Sequence, residues 1–158
     1  MPGRAAPVRI RRATVRDLGV LRRHRDAMFR DMGRGSPRSL AAADRAYAVW
    51  ARRLLRTGDL VGFLAVLRDG TVVAGGCVWL REHQPHPVLA GGRVPYLLSM
   101  YTEPAHRGRG LATKIVRAAT RWARARGFPR FFLHASEKGR GVYEKLGWSR
   151  TWEMETKL

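Results

Sequence analysis

A chain of 158 residues, 45% hydrophobic and 27% charged, suits one globular domain with its own core and needs no metal or disulfide staple. Its single cysteine, Cys77, excludes an internal disulfide and a cysteine metal cluster and suits a reducing, cytoplasmic setting, and no window approaches the roughly 20 apolar residues of a membrane span. With 31 basic residues against 12 acidic ones the formal charge is +19, which favours encounter with phosphates, nucleic acid or acidic surfaces; an arginine-, alanine- and glycine-rich composition from GC-rich coding accounts for it better than a dedicated nucleic-acid surface.

Met1 to Pro7 are basic, lead into no apolar signal region and are expected to be flexible. Val8 to Arg12 alternates like a half-buried strand, and Thr14 caps a helix to about Met32 whose stripe runs Leu18, Leu21, Arg25, Met28 and Met32. Gly33 to Pro37 interrupts, and Ser39 or Leu40 to Arg56 resumes helical spacing through Leu40, Ala43, Tyr47, Trp50 and Leu54. Leu60 to Leu67 and Val72 to Trp79 flank an Asp69-Gly70 turn, the pattern of an antiparallel hairpin. Arg81 to Arg93, with two prolines and two glycines, reads as a long exposed loop.

Val94 to Thr102 predicts a strand, Leu111 to Arg126 a helix and Arg130 to His134 a second strand, hence a βαβ unit with two parallel strands and a ligand beyond their carboxyl ends. Lys138 to Leu146 predicts a short helix closed by Gly147, and Trp148 to Leu158 alternates as a final strand. The expected architecture is a mixed α/β sheet flanked by helices, one domain over 1–158.

The chemistry concentrates at Arg107-Gly108-Arg109-Gly110-Leu111-Ala112, between strand and helix. Unpaired amides at a helix N-terminus converge on phosphate oxygens, glycine admits close approach and positive φ, and the arginines add charge at the rim. No Gly-Lys-Ser/Thr follows and no Gly-x-Gly-x-x-Gly is present, so neither a P-loop nor a dinucleotide fingerprint applies.

This turn resembles the signature Gln/Arg-x-x-Gly-x-Gly/Ala of the GNAT superfamily of N-acetyltransferases, met by Arg107, Gly110 and Ala112. Tyr101 to His106 is similar to that family's approach to the loop, and Gly139 to Trp148 resembles its helix ending in Leu-Tyr-x-x-x-Gly-Phe. The resemblance is strong from Val94 to Trp148 and looser before it; Ser136 stands where the family often has Asn, Gly139 where it often has Ala, and Val142 and Trp148 replace Leu and Phe.

The resemblance implies a GNAT fold, with antiparallel strands first and a parallel pair splayed at the acetyl-CoA site, and transfer of an acetyl group to a primary amine by direct attack. It implies cofactor contacts from Leu98, Met100, Tyr101, Thr102, Arg107, Gly108, Arg109, Gly110, Leu111, Ala112, Thr113, Ser136, Gly139 and Tyr143. Met100 would donate its backbone N–H to the oxyanion of the tetrahedral intermediate, and Tyr143 would protonate the departing thiolate. An amine near pKa 10 must first lose a proton, and Glu82, His83, Glu103 and His134 lie near strand ends where a base or water relay is needed, Glu103 and His134 being the better placed. Cys77, mid-strand with no base beside it in sequence, reads as core packing rather than a nucleophile.

No metal is expected. The implied partners are a small-molecule or peptide amine and a second copy of the chain, met through the last strand; no membrane or nucleic-acid partner is expected, since no helix-turn-helix, zinc finger or aromatic RNA-binding signature occurs. The alternatives are a CoA-binding protein of the same fold without catalysis and, behind it, a basic nucleic-acid-binding module.

Overall fold

The structure, a computed structural model, describes residues 7–158, so the flexibility expected for Met1 to Pro7 falls, except for Pro7, outside the described residues. Strand β1 (Arg9–Arg12) leads to a capping box: the Thr14 hydroxyl accepts the Arg16 amide and the Asp17 carboxylate accepts the Thr14 amide. A 3-10 turn there runs straight into helix α1 (Leu18–Asp31). Helix α2 (Pro37–Thr57) starts earlier than expected, because Ser36 and Ser39 exchange a similar reciprocal cap and Pro37 is pre-set for the first helical position.

Strands β2 (Leu60–Val66) and β3 (Val72–Glu82) form the expected hairpin, closed by the Gly70 amide donating to the Leu67 carbonyl. Strand β4 (Arg93–Thr102), helix α3 (Leu111–Ala125), strand β5 (Phe132–Leu133) and helix α4 (Arg140–Lys145) follow. One five-stranded sheet results, in the order β1-β2-β3-β4-β5, antiparallel through β4 and parallel between β4 and β5.

Each face of the sheet is covered. Helix α3 lays Ile115, Val116 and Trp122 on Phe63, Ala65 and Val78, while α1 and α2 bring Leu21, Tyr47 and Leu54 against Leu60, Leu64 and Cys77 on the other side. Fully burying an aliphatic side chain such as Ile115 contributes about 1.5–3 kcal/mol, so these two layers clamp the sheet from both faces. Among the described residues no helix is long and apolar enough to cross a membrane, and no group of three or more His, Cys, Asp and Glu is arranged to hold a metal ion.

Four expectations need correction. The Arg81 to Arg93 stretch is not all loop: Glu82 pairs with Arg93 and the His83 amide donates to the Gly92 carbonyl, so the irregular part is 83–92, anchored by buried Leu89. Helix α1 buries His24, not Arg25, whose guanidinium lies instead over the Phe29 and Tyr47 rings at 4.8 and 4.7 Å. The Arg130 to His134 strand contracts to two residues, and the following helix to Arg140–Lys145. Trp148 to Leu158 forms no strand; Trp152 and Met154 are 95% and 92% exposed. Alternation becomes a strand only where an edge supplies backbone partners, and β5 is too short to offer many.

Candidate active site

Pairing between β4 and β5 ends after Tyr96 with Phe132 and Leu97 with Leu133. Beyond it the two strands pair no further, so among the described residues Leu98 to Thr102 have no strand partner on that side of the sheet. Within this stretch β4 carries a bulge: Leu98 faces Cys77 and Tyr101 faces Gly75, so Ser99 and Met100 together oppose Gly76. Ser99 has a φ of 55°, the one positive value outside glycine among the described residues, and the extra residue re-aims the main chain around Met100. The bulge depends on Gly76, since a Cβ there would stand 2.2 Å from the Met100 sulfur.

After β4, Glu103 to His106 makes a 3-10 turn, and the chain reaches Gly108 and Gly110, both at a φ of 71°. Only glycine takes two left-handed positions so close together at little cost. The amides of Gly108 to Thr113 make no backbone or side-chain hydrogen bond among the described residues; the first amide of α3 to pair is that of Lys114, with the Gly110 carbonyl. No side chain caps α3, so its positive dipole end meets an open space. Methyl groups built on Gly108 and Gly110 would touch nothing within 4 Å, which shows how open that space is. Such a row of free amides at a helix N-terminus suits an anion. Arg107 is turned elsewhere: its Nε donates to the Thr102 carbonyl at 3.0 Å and its Nη2 to the Asp31 carboxylate at the end of α1. Arg109 is exposed at the rim.

On the far side of the opening, Ser136 caps the turn into α4, its hydroxyl accepting the Gly139 amide at 3.1 Å. Gly139 is closely covered, a Cβ there meeting Ser136 Oγ at 3.1 Å and Tyr143 Cε2 at 3.6 Å. Tyr143 packs edge-on to Trp148 at 6.0 Å and lines, with Leu133 and His134, a cleft of about 470 Å³ that is walled also by Trp148 to Met154 and by no residue of β4 or of the Gly108/Gly110 turn. Burial raises the Tyr143 phenol above the usual tyrosine value, so it keeps its proton through neutral pH. His134 is exposed directly after β5.

Glu103 is half-buried just past β4, beside a histidine that the sequence reading left out. His24 of α1 brings Nε2 to 3.2 Å from Glu103 Oε1 and its ring to 5.2 Å from Tyr101. The signal existed: Leu21, His24 and Met28 are spaced three and four apart, so position 24 continues the apolar stripe. Glu82 and His83 lie at the other end of the β3/β4 pair, Glu82 exposed and His83 Nδ1 engaged at 2.8 Å with the Gln84 carbonyl, away from Glu103. Cys77 is fully buried, which pushes its thiol up to about 12, and it packs in the core as expected.

Residues 21–148 match the family model described as the acetyltransferase (GNAT) family. A GCN5-related N-acetyltransferase from Ralstonia eutropha JMP134 is 32% identical over 96% of this chain and 99% of its own, with a TM-score of 0.88. A predicted acetyltransferase from Clostridium acetobutylicum, solved with acetyl-CoA, is 26% identical over 96% of each chain, with a TM-score of 0.86. An aminoglycoside N-acetyltransferase solved with CoA shares the fold at a TM-score of 0.74 and 21% identity, over 100% of this chain and 98% of its own. No curated protein matches the chain.

Proposed function

Because the chain belongs to the GNAT acetyltransferase family, we propose that it moves an acetyl group from acetyl-CoA to a primary amine by direct attack within a ternary complex. The observation that carries this reading is the unpaired amides of Gly108 to Thr113, set at the end of a strand whose other edge is open. They would hold the diphosphate, with Arg109 adding charge, while the free main chain of Leu98 to Thr102 would pair with the cosubstrate's arm. When bound, the cosubstrate supplies a thioester carbonyl for the amine to attack.

The chain's own groups supply the rest. The bulge at Ser99 and Met100 supports a role for the Met100 N–H as a preorganised donor to developing oxyanion charge. Tyr143, protonated at neutral pH, would give its proton to the departing sulfur. Glu103, or a water held by it or by His134, would take the amine's proton.

Asp17, Asp26, Asp31, Asp44 and Asp59 each pair with an arginine, and the other acidic residues, Glu82 among them, are scattered rather than gathered into a patch that would attract a polycationic acceptor. A neutral or acidic amine, or a peptide N-terminus, is therefore the favoured acceptor in a basic protein of formal charge +19. We place the reaction in the cytoplasm and the protein in a homodimer, its exposed Trp152 and Met154 covered by a second copy.

Thermal shift separates the classes, because a ligand bound only by the folded state raises its melting point. CoA should stabilise the protein and duplex DNA at physiological salt should not; the reverse would make it a nucleic-acid binder. Thiol release from acetyl-CoA with alanyl peptides and kanamycin then tests catalysis. Release with peptides ahead of kanamycin is expected, and stabilisation by CoA without release from a wide amine panel would leave a binding protein.

A further inference from the structure

His24 is 2% exposed; among the described residues its Nδ1 has no hydrogen-bond partner, and its Nε2 makes a close contact with Glu103 Oε1, at 3.2 Å but off the line of a well-aligned hydrogen bond. A buried polar group left so costs about 1–3 kcal/mol, whereas a leucine in that stripe would cost nothing in desolvation. The imidazole's contribution must lie in what it touches. Its Nε2 stands 3.2 Å from Glu103 Oε1, and Gly75 makes room for the ring, since a Cβ there would be 3.2 Å from Nδ1.

We propose that His24 is a positioning residue for Glu103, its Nε2–H holding the carboxylate at the mouth of the β4/β5 opening where the acceptor amine arrives. This rests on Glu103 being the proton acceptor of the proposed reaction. The backbone of Glu103 is fixed, its amide donating to the Val73 carbonyl at 2.9 Å and its carbonyl accepting the His106 amide at 2.8 Å. Only the side chain is free to swing, with the Arg23 guanidinium 3.7 Å away. Tyr101 of β4, Glu103 just past it and Arg23 of α1 face the imidazole, and Gly75 of β3 lies against it. Burial, above all, lowers the His24 pKa, with Glu103 opposing, so the ring is neutral at pH 7 and carries one proton. The carboxylate beside Nε2 draws that proton to Nε2.

Glutamine can place an amide N–H near the position of Nε2, and leucine cannot. With acetyl-CoA and the best amine of the panel, His24→Leu should lower kcat/KM for the amine about 10-fold, the low end of what one hydrogen bond to a charged group contributes. The KM for acetyl-CoA should stay, His24→Gln should recover most of the loss, and His24→Leu should cost little more in a Glu103→Gln background. If Glu103→Gln is impaired while His24→Leu is not, or the two losses add fully, the His24 role is wrong and the base assignment stands. If Glu103→Gln keeps full turnover, both fall. Imidazole 15N spectra need no acceptor: a neutral Nε2–H form that responds to Glu103→Gln is expected, and an Nδ1–H form or no response overturns the proposal.

Discussion

Replacing the Tyr143 hydroxyl by hydrogen leaves the ring's packing on Trp148 in place and removes only the proton. Tyr143→Phe should therefore lower turnover by about 10²- to 10⁴-fold, while the CoA-induced thermal shift survives. Full turnover in that variant would make the hydroxyl structural. His24 carries a pH signature with a definite sign. Its folded pKa is lowered, so the stability it permits is complete above the unfolded histidine value near 6.5 and declines as pH falls through the folded value. Acid titrations of melting temperature should show that component in the wild type and lose it in His24→Gln.

At the level of elements, β4 and the turn after it act together. Gly76→Ala would push a methyl into the Met100 sulfur and should cost about 1–3 kcal/mol, recovered in part by Met100→Ala, which removes the clashing atoms. Chemical denaturation of the single and double variants reads this directly. Gly110→Val meets no atom within 4 Å but forces a β-branched residue to a φ of 71°. A modest fall in melting temperature is expected together with loss of the CoA shift, because the side chain would enter the space in front of the free amides. Unchanged stabilisation by CoA in Gly110→Val would mean that this turn is not the diphosphate site.

For the molecule as a whole, charge and the C-terminal segment are the open features. A formal charge of +19 should raise the rate at which anionic ligands are met and make that rate fall with added salt. Trp152 and Met154 are large apolar side chains in water. Sedimentation should find a dimer in the wild type and a shift towards monomer in a Trp152→Ser, Met154→Ser variant, with the intramolecular melting signal of the core little changed. A wild type that sediments only as monomer would remove the second copy as their partner.

Local patterns in the chain were enough for much of this. The 3.6-residue spacing, the cap at Thr14, the Asp69-Gly70 turn and the Gly108/Gly110 pair each act within a few residues, so the three longer helices, the hairpin and the left-handed glycine turn are readable from neighbours alone. Gly75 and Gly76 are approached by His24 on one face and Met100 on the other, each at least 24 residues away in sequence. Three features needed the fold: the bulge at Ser99, the meeting of His24 with Glu103, and the failure of Trp148 to Leu158 to become a strand. Each depends on which edges and faces are brought together, and pairing across long loops is decided by packing and backbone satisfaction in three dimensions rather than by local propensity.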